Sequence, residues 1–252
     1  MKVEDIFQLR DKAILITGAS RGIGASIAEF LSSSGAKVTL VSRKEEELCR
    51  LANRLKAAGG DVDFIALDVT DLAAVKNSKL NRQVFDVLIN NAGTNNPMSF
   101  LDVTEDVYEK ITNLNNKATY FLTQLVVGNM ISSKKQGSII NISSQMGHVG
   151  AKHRSVYCMS KFALEGMTKA LAVELALHNI RVNTICPTFI ETPMTKGFLE
   201  DEDFRIEVLG KIKSGRLARP EDLFGAISLL ASNASQMMTG SSIMIDGGWT
   251  AD

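Results

Sequence analysis

Seven short, largely apolar runs recur along this chain, at residues 13–16, 37–41, 63–67, 84–89, 138–142, 181–185 and 242–245, and helical periodicity fills the gaps between them. Runs of this length with little polar alternation suit strands covered on both faces. Strands that alternate with helices pair in parallel as a doubly wound sheet. The helical patterns fall at 23–34, 44–58, 71–77, 104–132, 156–178, 203–212 and 220–231, and only the third looks shortened. The expected fold class is therefore α/β, with a parallel sheet of about seven strands.

At 252 residues and 45% apolar content the chain can bury one large core, and no proline- or glycine-rich linker divides it. A single domain over residues 1–252 is expected, since Pro97, Pro187, Pro193 and Pro220 lie at element ends. Its 28 basic and 28 acidic residues cancel, which leaves no global field to hold nucleic acid or an anionic membrane. Cys49, Cys158 and Cys186 are odd in number and lack zinc-site or disulfide spacing, so they read as reduced core thiols and no metal is expected. Met1 to Lys12 is charged, and nowhere do eighteen apolar residues run together, which makes the cytoplasm the expected location. The stretch after Pro187, with apolar Met194, Phe198 and Leu199 among charges, is too long for a plain connection; residues 187–213 are expected to form a substrate lid.

The first run ends in Thr17-Gly-Ala-Ser-Arg-Gly-Ile-Gly24, whose glycines are spaced Gly-x-x-x-Gly-x-Gly. Gly18, Gly22 and Gly24 permit positive φ and let a ligand approach bare backbone. A helix starting near Gly22 turns its unpaired N–H groups and positive dipole end toward the turn, an arrangement suited to a pyrophosphate. An ordinary strand-to-helix connection would not need three glycines at these offsets. The domain is thus expected to be of Rossmann type and to bind a dinucleotide.

In NAD binders a carboxylate roughly twenty residues past the glycines holds the ribose 2'-hydroxyl. Here the stretch reads Val41-Ser42-Arg43-Lys44, without one. Arg43 suits a 2'-phosphate, and Arg21 beside a helix N-terminus is unfavourable unless an anion offsets it, so NADP(H) is expected over NAD(H). The rival reading makes Arg43 and Lys44 a solvated pair leading into Glu45 to Glu47. Asp68 and Asn90 end the third and fourth runs, at the sheet edge where ligands of open α/β folds bind. Asp68 serves equally well as a cap for the short helix beyond Thr70, and Asn90 as a turn brace.

Tyr157 and Lys161 stand four apart, one helical turn on one face, and Ser144 precedes Tyr157 by thirteen. A tyrosine pKa of about 10 is too high for efficient proton exchange near neutrality, and a nearby ammonium is expected to lower it. Ser144 would hydrogen-bond a substrate oxygen while Tyr157 protonates it and a nicotinamide delivers hydride. Each residue alone reads more simply as a core aromatic, a solvated lysine and a turn serine. The joint spacing, downstream of the glycine turn, reverses that.

With TGASRGIG from Thr17, Asp68-Val69, Asn90-Asn91-Ala92-Gly93, Asn113, Ser144, Tyr157-Cys-Met-Ser-Lys161, the Pro187 segment and Asp246-Gly-Gly, the chain resembles the short-chain dehydrogenase/reductase family over essentially its whole length. That resemblance implies a tetrad of Asn113, Ser144, Tyr157 and Lys161, in which the Asn113 carbonyl holds a water that relays protons to Lys161. It places Gly18, Ser20, Arg21, Gly22, Ile23, Gly24, Asp68, Val69, Asn90, Ala92, Gly93 and Pro187 on the cofactor. Tyr157 and Lys161 join them, Lys161 holding the nicotinamide ribose, with Ile190 and Thr192 at the carboxamide. Two departures stand out: Thr188 follows Pro187 where glycine is common, and the segment from Asp71 to Phe85 is short.

The pocket is expected between Thr94 to Met98, Gln145 to Val149, Lys152 to Arg154 and the Met194 to Phe204 lid, with Asn95, Asn96, Gln145, His148, Lys152 and His153 making one side polar. That wall favours a small hydroxylated ketone of sugar or polyol type; surface polarity is the alternative for the two histidines. Reduction of 3-oxoacyl groups on acyl carrier protein is the runner-up, since Lys134 and Lys135 supply basic charge that His178 and Asn179 do not extend. A non-catalytic NADP(H) sensor is disfavoured by the intact Ser144, Tyr157 and Lys161, and a nucleotide-sugar epimerase by the chain length. The family's habit of packing through its two long helices and the C-terminal strand, with Ala163, Gly166 and Ala170 on one helix face, implies a homotetramer.

Overall fold

The computed structural model describes residues 3–192 and 195–252; Pro193 and Met194, both in the expected lid, lie outside the described residues. After a short helix α1 (Val3–Ile6), strands β1 (Ala13–Thr17), β2 (Lys37–Ser42), β3 (Asp61–Ala66), β4 (Val87–Asn90), β5 (Gly137–Ile142), β6 (Ile180–Pro187) and β7 (Ser242–Ile245) alternate with helices. These are α2 (Gly22–Ser33), α3 (Glu45–Ala57), α4 (Leu72–Asn77), α5 (Glu105–Thr112), α6 (Thr119–Ser132), α7 (Ser155–Leu175), α8 (Lys196–Leu199), α9 (Glu202–Lys211) and α10 (Phe224–Ala231). The strands form one sheet in the order β3-β2-β1-β4-β5-β6-β7, and every pairing is parallel. This is the doubly wound Rossmann-type sheet that the alternation of runs predicts.

Burial on both faces explains the apolar character of the central strands. Ile14 and Ile16 of β1 and Ile89 of β4 pack into the layer holding Ile27, Leu31, Leu48 and Ile227. Leu15 and Leu88, pointing the other way, join Leu122, Val126 and Val182. The chain runs outward from β1 to β3 and then crosses back to β4, so the connections leaving β1 and β4 diverge. That divergence opens a crevice at the carboxyl ends of the strands.

One expected helix is broken. The stretch 104–132 forms α5 and α6 with a π-helical segment, Asn113–Ala118, between them. Helix 220–231 likewise opens as a 3-10 turn, Pro220–Leu223, before α10.

Candidate active site

Gly18 and Gly22 adopt φ of 64° and 58°, left-handed conformations that only glycine takes at little cost. Gly24 does not, contrary to the sequence expectation. Its constraint is steric: a Cβ there would lie 2.4 Å from the Gly18 carbonyl oxygen and 2.5 Å from Asn91 Nδ2, so the third glycine lets α2 close onto the turn. Arg21, extended, precedes α2 without capping it by its side chain, and no acidic residue occupies the first turn. The first N–H groups of α2 and the positive end of its dipole therefore suit an anion.

Asn91 fastens this turn to the end of β4. Its Nδ2 donates to the carbonyls of Thr17 (2.9 Å) and Gly18 (3.1 Å), while the Thr17 hydroxyl accepts from the Asn91 and Ala92 amides at 3.1 and 3.0 Å. Sequence reasoning singled out its neighbour. Asn90 is buried inside the sheet, donating to Thr123 Oγ1 at 2.9 Å and Asn141 Oδ1 at 2.8 Å, because successive strand residues point to opposite faces. The paired asparagines signal the site; the strand register decides which one faces it.

A cleft of about 700 Å³ follows the carboxyl edge, and every expected site residue lines it except Gly24 and Asn90. At one end, Arg43 Nη1 stands 3.8 Å from Asp68 Oδ2 with both side chains well exposed. So long and solvated a pair holds the guanidinium weakly and leaves it able to meet a phosphate. Lys44, by contrast, is committed to Glu47 at 2.8 Å. Asp68 does not cap α4: its Oδ1 accepts from the Thr70 amide and hydroxyl, and Asp71 takes the cap through the Ala74 amide.

The π-helical segment brings Asn113 into the cleft lining while its neighbours clamp adjacent elements. Asn115 Nδ2 donates to Ser160 Oγ and the Thr94 carbonyl, both at 3.0 Å, and its Oδ1 accepts from the Thr94 amide at 2.8 Å. Asn116 Nδ2 donates to the Ser160 carbonyl at 2.8 Å. These two asparagines, missed as site residues, tie the loop after β4 and the second turn of α7 to one helix.

Tyr157, Lys161 and Ser144 share the far end of the cleft. Ser144 Oγ donates to Gln145 Oε1 at 2.7 Å and accepts from the Met146 amide at 3.1 Å. Lys161 Nζ donates to the Ile142 carbonyl at 2.9 Å. The expectation that the ammonium lowers the phenol's pKa is not met, because burial dominates both groups. It pushes Tyr157 up to about 12, opposed by the Ser144 hydroxyl and the Arg154 guanidinium. It pushes Lys161 down to about 8, opposed by Cys186 and Glu165.

Of the expected polar wall, Asn95 and Gln145 line the cleft, whereas Asn96, His148, Lys152 and His153 do not. Arg154 does, its guanidinium 5.7 Å from the ring centroids of both Phe189 and Phe204. Phe189 also stacks on Trp249 at 5.8 Å, so the chain leaving β6 is seated on an aromatic cluster. Thr188, the departure from the family pattern, donates its amide to the Ile245 carbonyl and lines the cleft.

The family model described as enoyl-(acyl carrier protein) reductase matches residues 18–250. L-xylulose reductase of Bos taurus is 36% identical over 244 residues, which cover 97% of this chain and 98% of that protein. 3-Oxoacyl-[acyl-carrier-protein] reductase of Thermotoga maritima is 38% identical over 247 residues, 96% of this chain and 98% of its own. The crystal structure of a gluconate 5-dehydrogenase from Burkholderia cenocepacia J2315, in complex with NADP and tartrate, is similar with a TM-score of 0.94 at 29% identity, covering 100% of both chains. Joined to the glycine turn and the Tyr157–Lys161 pair in one cleft, these likenesses establish that the chain is an oxidoreductase of the short-chain dehydrogenase/reductase family.

Proposed function

We propose that this protein catalyses NADP(H)-dependent hydride transfer between nicotinamide and the carbonyl or secondary alcohol of a small hydroxylated substrate, of sugar or polyol type. One observation carries the proposal. A single cleft offers Arg43 and no carboxylate at the end of β2, the uncapped start of α2 in its middle, and a buried, protonated phenol at its far end.

The nicotinamide supplies the hydride when bound; the protein supplies orientation and a proton. Tyr157 protonates the carbonyl oxygen, for which the neutral phenol favoured by burial is the competent form. Ser144 donates a hydrogen bond to the same oxygen, Lys161 grips the nicotinamide ribose, and the Asn113 carbonyl holds the relay water. Ser20, Ile23, Val69, Ala92, Gly93 and Pro187 contact the cofactor, and Ile190 and Thr192 hold its carboxamide. Two orphaned atoms suit hydroxyl-rich ligands: Asn95 Oδ1 and Thr188 Oγ1 are buried without a hydrogen-bond partner, and both residues line the cleft. The names of the xylulose reductase and the gluconate dehydrogenase, one solved with NADP, support the same substrate and cofactor class.

The Thermotoga relative supports acyl-carrier-protein substrates as the second reading. Against it, half of the basic pair that would greet an acidic carrier is occupied, since Lys135 Nζ lies 3.0 Å from Asp86. Turnover with NADPH across a panel of ketoses, keto-aldonates and acetoacetyl thioesters decides between them. Rapid thioester reduction with an inert sugar panel would overturn our ordering.

Residues 187–213, including α8 and α9, serve as the lid. The assembly is a homotetramer packed through the outer faces of α5, α6 and α7, where Tyr108, Tyr120, Met159 and Phe162 are exposed beside Ala163, Gly166 and Ala170. No helix among the described residues is long and apolar enough to cross a membrane. The cytoplasm is the proposed location.

A further inference from the structure

His148 turns away from the cleft and meets two residues that the reaction above does not use. Its Nε2 lies 3.5 Å from Cys186 Sγ and 3.6 Å from Glu165 Oε2, and Cys186 Sγ lies 3.4 Å from Glu165 Oε1. An imidazole from the turn after β5, a carboxylate from α7 and a thiol from β6 thus converge on one point. Among the described residues, no other group of three such side chains is arranged to share an ion.

We propose that His148, Glu165 and Cys186 form a binding site for one zinc ion. Zinc takes thiolate sulfur at about 2.3 Å, imidazole nitrogen at about 2.0–2.1 Å and carboxylate oxygen at about 2.0–2.2 Å in a tetrahedron, which sets the ligand-to-ligand edges at about 3.4–3.6 Å. The three measured separations are of that size, with Glu165 turning Oε2 toward His148 and Oε1 toward Cys186. The mixed sulfur, nitrogen and oxygen set favours zinc over calcium or magnesium, which take oxygen ligands.

Three further observations show a built site. Thr184 Oγ1 and Ser242 Oγ both donate to Glu165 Oε2, at 2.9 and 2.6 Å, fixing the carboxylate as outer-shell donors do for metal ligands. Ser143 Oγ is buried without a hydrogen-bond partner next to Glu165, since both it and Glu165 Cγ lie 3.1 Å from where a Gly147 Cβ would stand; water would complete the tetrahedron. His148 is partly exposed and gives the ion a route from solvent, while Glu165 and Cys186 are buried.

Capture exchanges the Cys186 S–H bond for an S–Zn bond and releases one proton to water.

The test is calorimetric titration of the chelator-stripped full-length protein with zinc, paired with cobalt(II) titration followed by absorption. We expect one zinc per chain and a cobalt–thiolate charge-transfer band. His148→Gln, a change at the surface, should weaken zinc binding by at least about tenfold, and Cys186→Ser should also abolish the band. Absence of saturable binding, absence of the band in the unaltered protein, or affinity unchanged by His148→Gln would overturn the proposal. His148→Gln decides the matter alone if Cys186→Ser fails to fold.

Discussion

Lys161 Nζ lies 5.6 Å from the centroid of the Tyr157 ring and is anchored to the last carbonyl of β5. The lysine is thus held by the sheet, and each side chain takes its proton affinity from burial more than from the other. Burial favours the neutral phenol, the state required for proton donation to a carbonyl, and the same burial makes the site costly to fold.

Tyr157→Phe should lower turnover with any ketone substrate by about 10²–10⁴-fold, the usual worth of a positioned proton donor. NADPH affinity, read from nucleotide fluorescence, should stay close to that of the unaltered protein. Retained turnover in the variant would remove Tyr157 from the chemistry.

The folded pKa of Lys161, about 8, lies below its ordinary 10.5, so between those values the unfolded chain holds more protons and stability rises with pH. Below about 8 the cost of burying the ammonium is present in full. Tyr157 runs the other way: raised from 10.0 to about 12, it contributes stability that is lost as pH climbs through that window. Lys161→Met should therefore melt higher than the parent at pH 7, by an amount on the order of 1 kcal/mol, and abolish activity. Thermal melts at pH 7 and pH 10 check this, since the advantage should shrink at the higher pH.

Arg43→Ala should raise KM for NADPH by about 10–100-fold, the loss of one charge-assisted contact, and leave KM for NADH nearly unchanged. Steady-state kinetics with both nucleotides measures the ratio. Equal effects on the two would return Arg43 to the solvated surface.

Gly24→Ala should destabilise the protein by about 1–3 kcal/mol and weaken dinucleotide binding together, because the added methyl cannot fit against the Gly18 carbonyl. Chemical denaturation and nucleotide titration report the two effects. A variant that binds and melts like the parent would contradict the close approach of α2 to the turn.

Phe162 is half exposed on α7. Light scattering should give the mass of four chains, and Phe162→Glu should shift it downward by placing a charge in the packed face. A monomer for the unaltered protein would refute the assembly.

Much of this was legible in the sequence because its signals are local. Glycine spacing, the interval between Tyr157 and Lys161, and apolar runs all survive without knowledge of tertiary contacts. What escaped depends on phase and direction. Asn90 and Asn91 are adjacent, and only the register of β4 against β1 and β5 decides which one reaches the turn. His148 sits among pocket residues in sequence, yet its contacts come from α7 and β6, far away along the chain. The sign of the Tyr157 shift depends on burial, which a four-residue spacing does not encode.

Asn113 was legible only through the family resemblance, not through local chemistry, and the structure gives a reason with its own consequence. A π-helical turn accommodates a surplus residue, so the helix before it and the helix after it are out of phase by roughly one position. Excising any single residue from 113–118 would restore ordinary winding, a change that composition hardly registers. Either Asn113 would then rotate off the cleft or Asn115 and Asn116 would lose Ser160. The alignment of Asn113 with α7 thus depends on an insertion length, and a length variant would break it even with every other side chain still present.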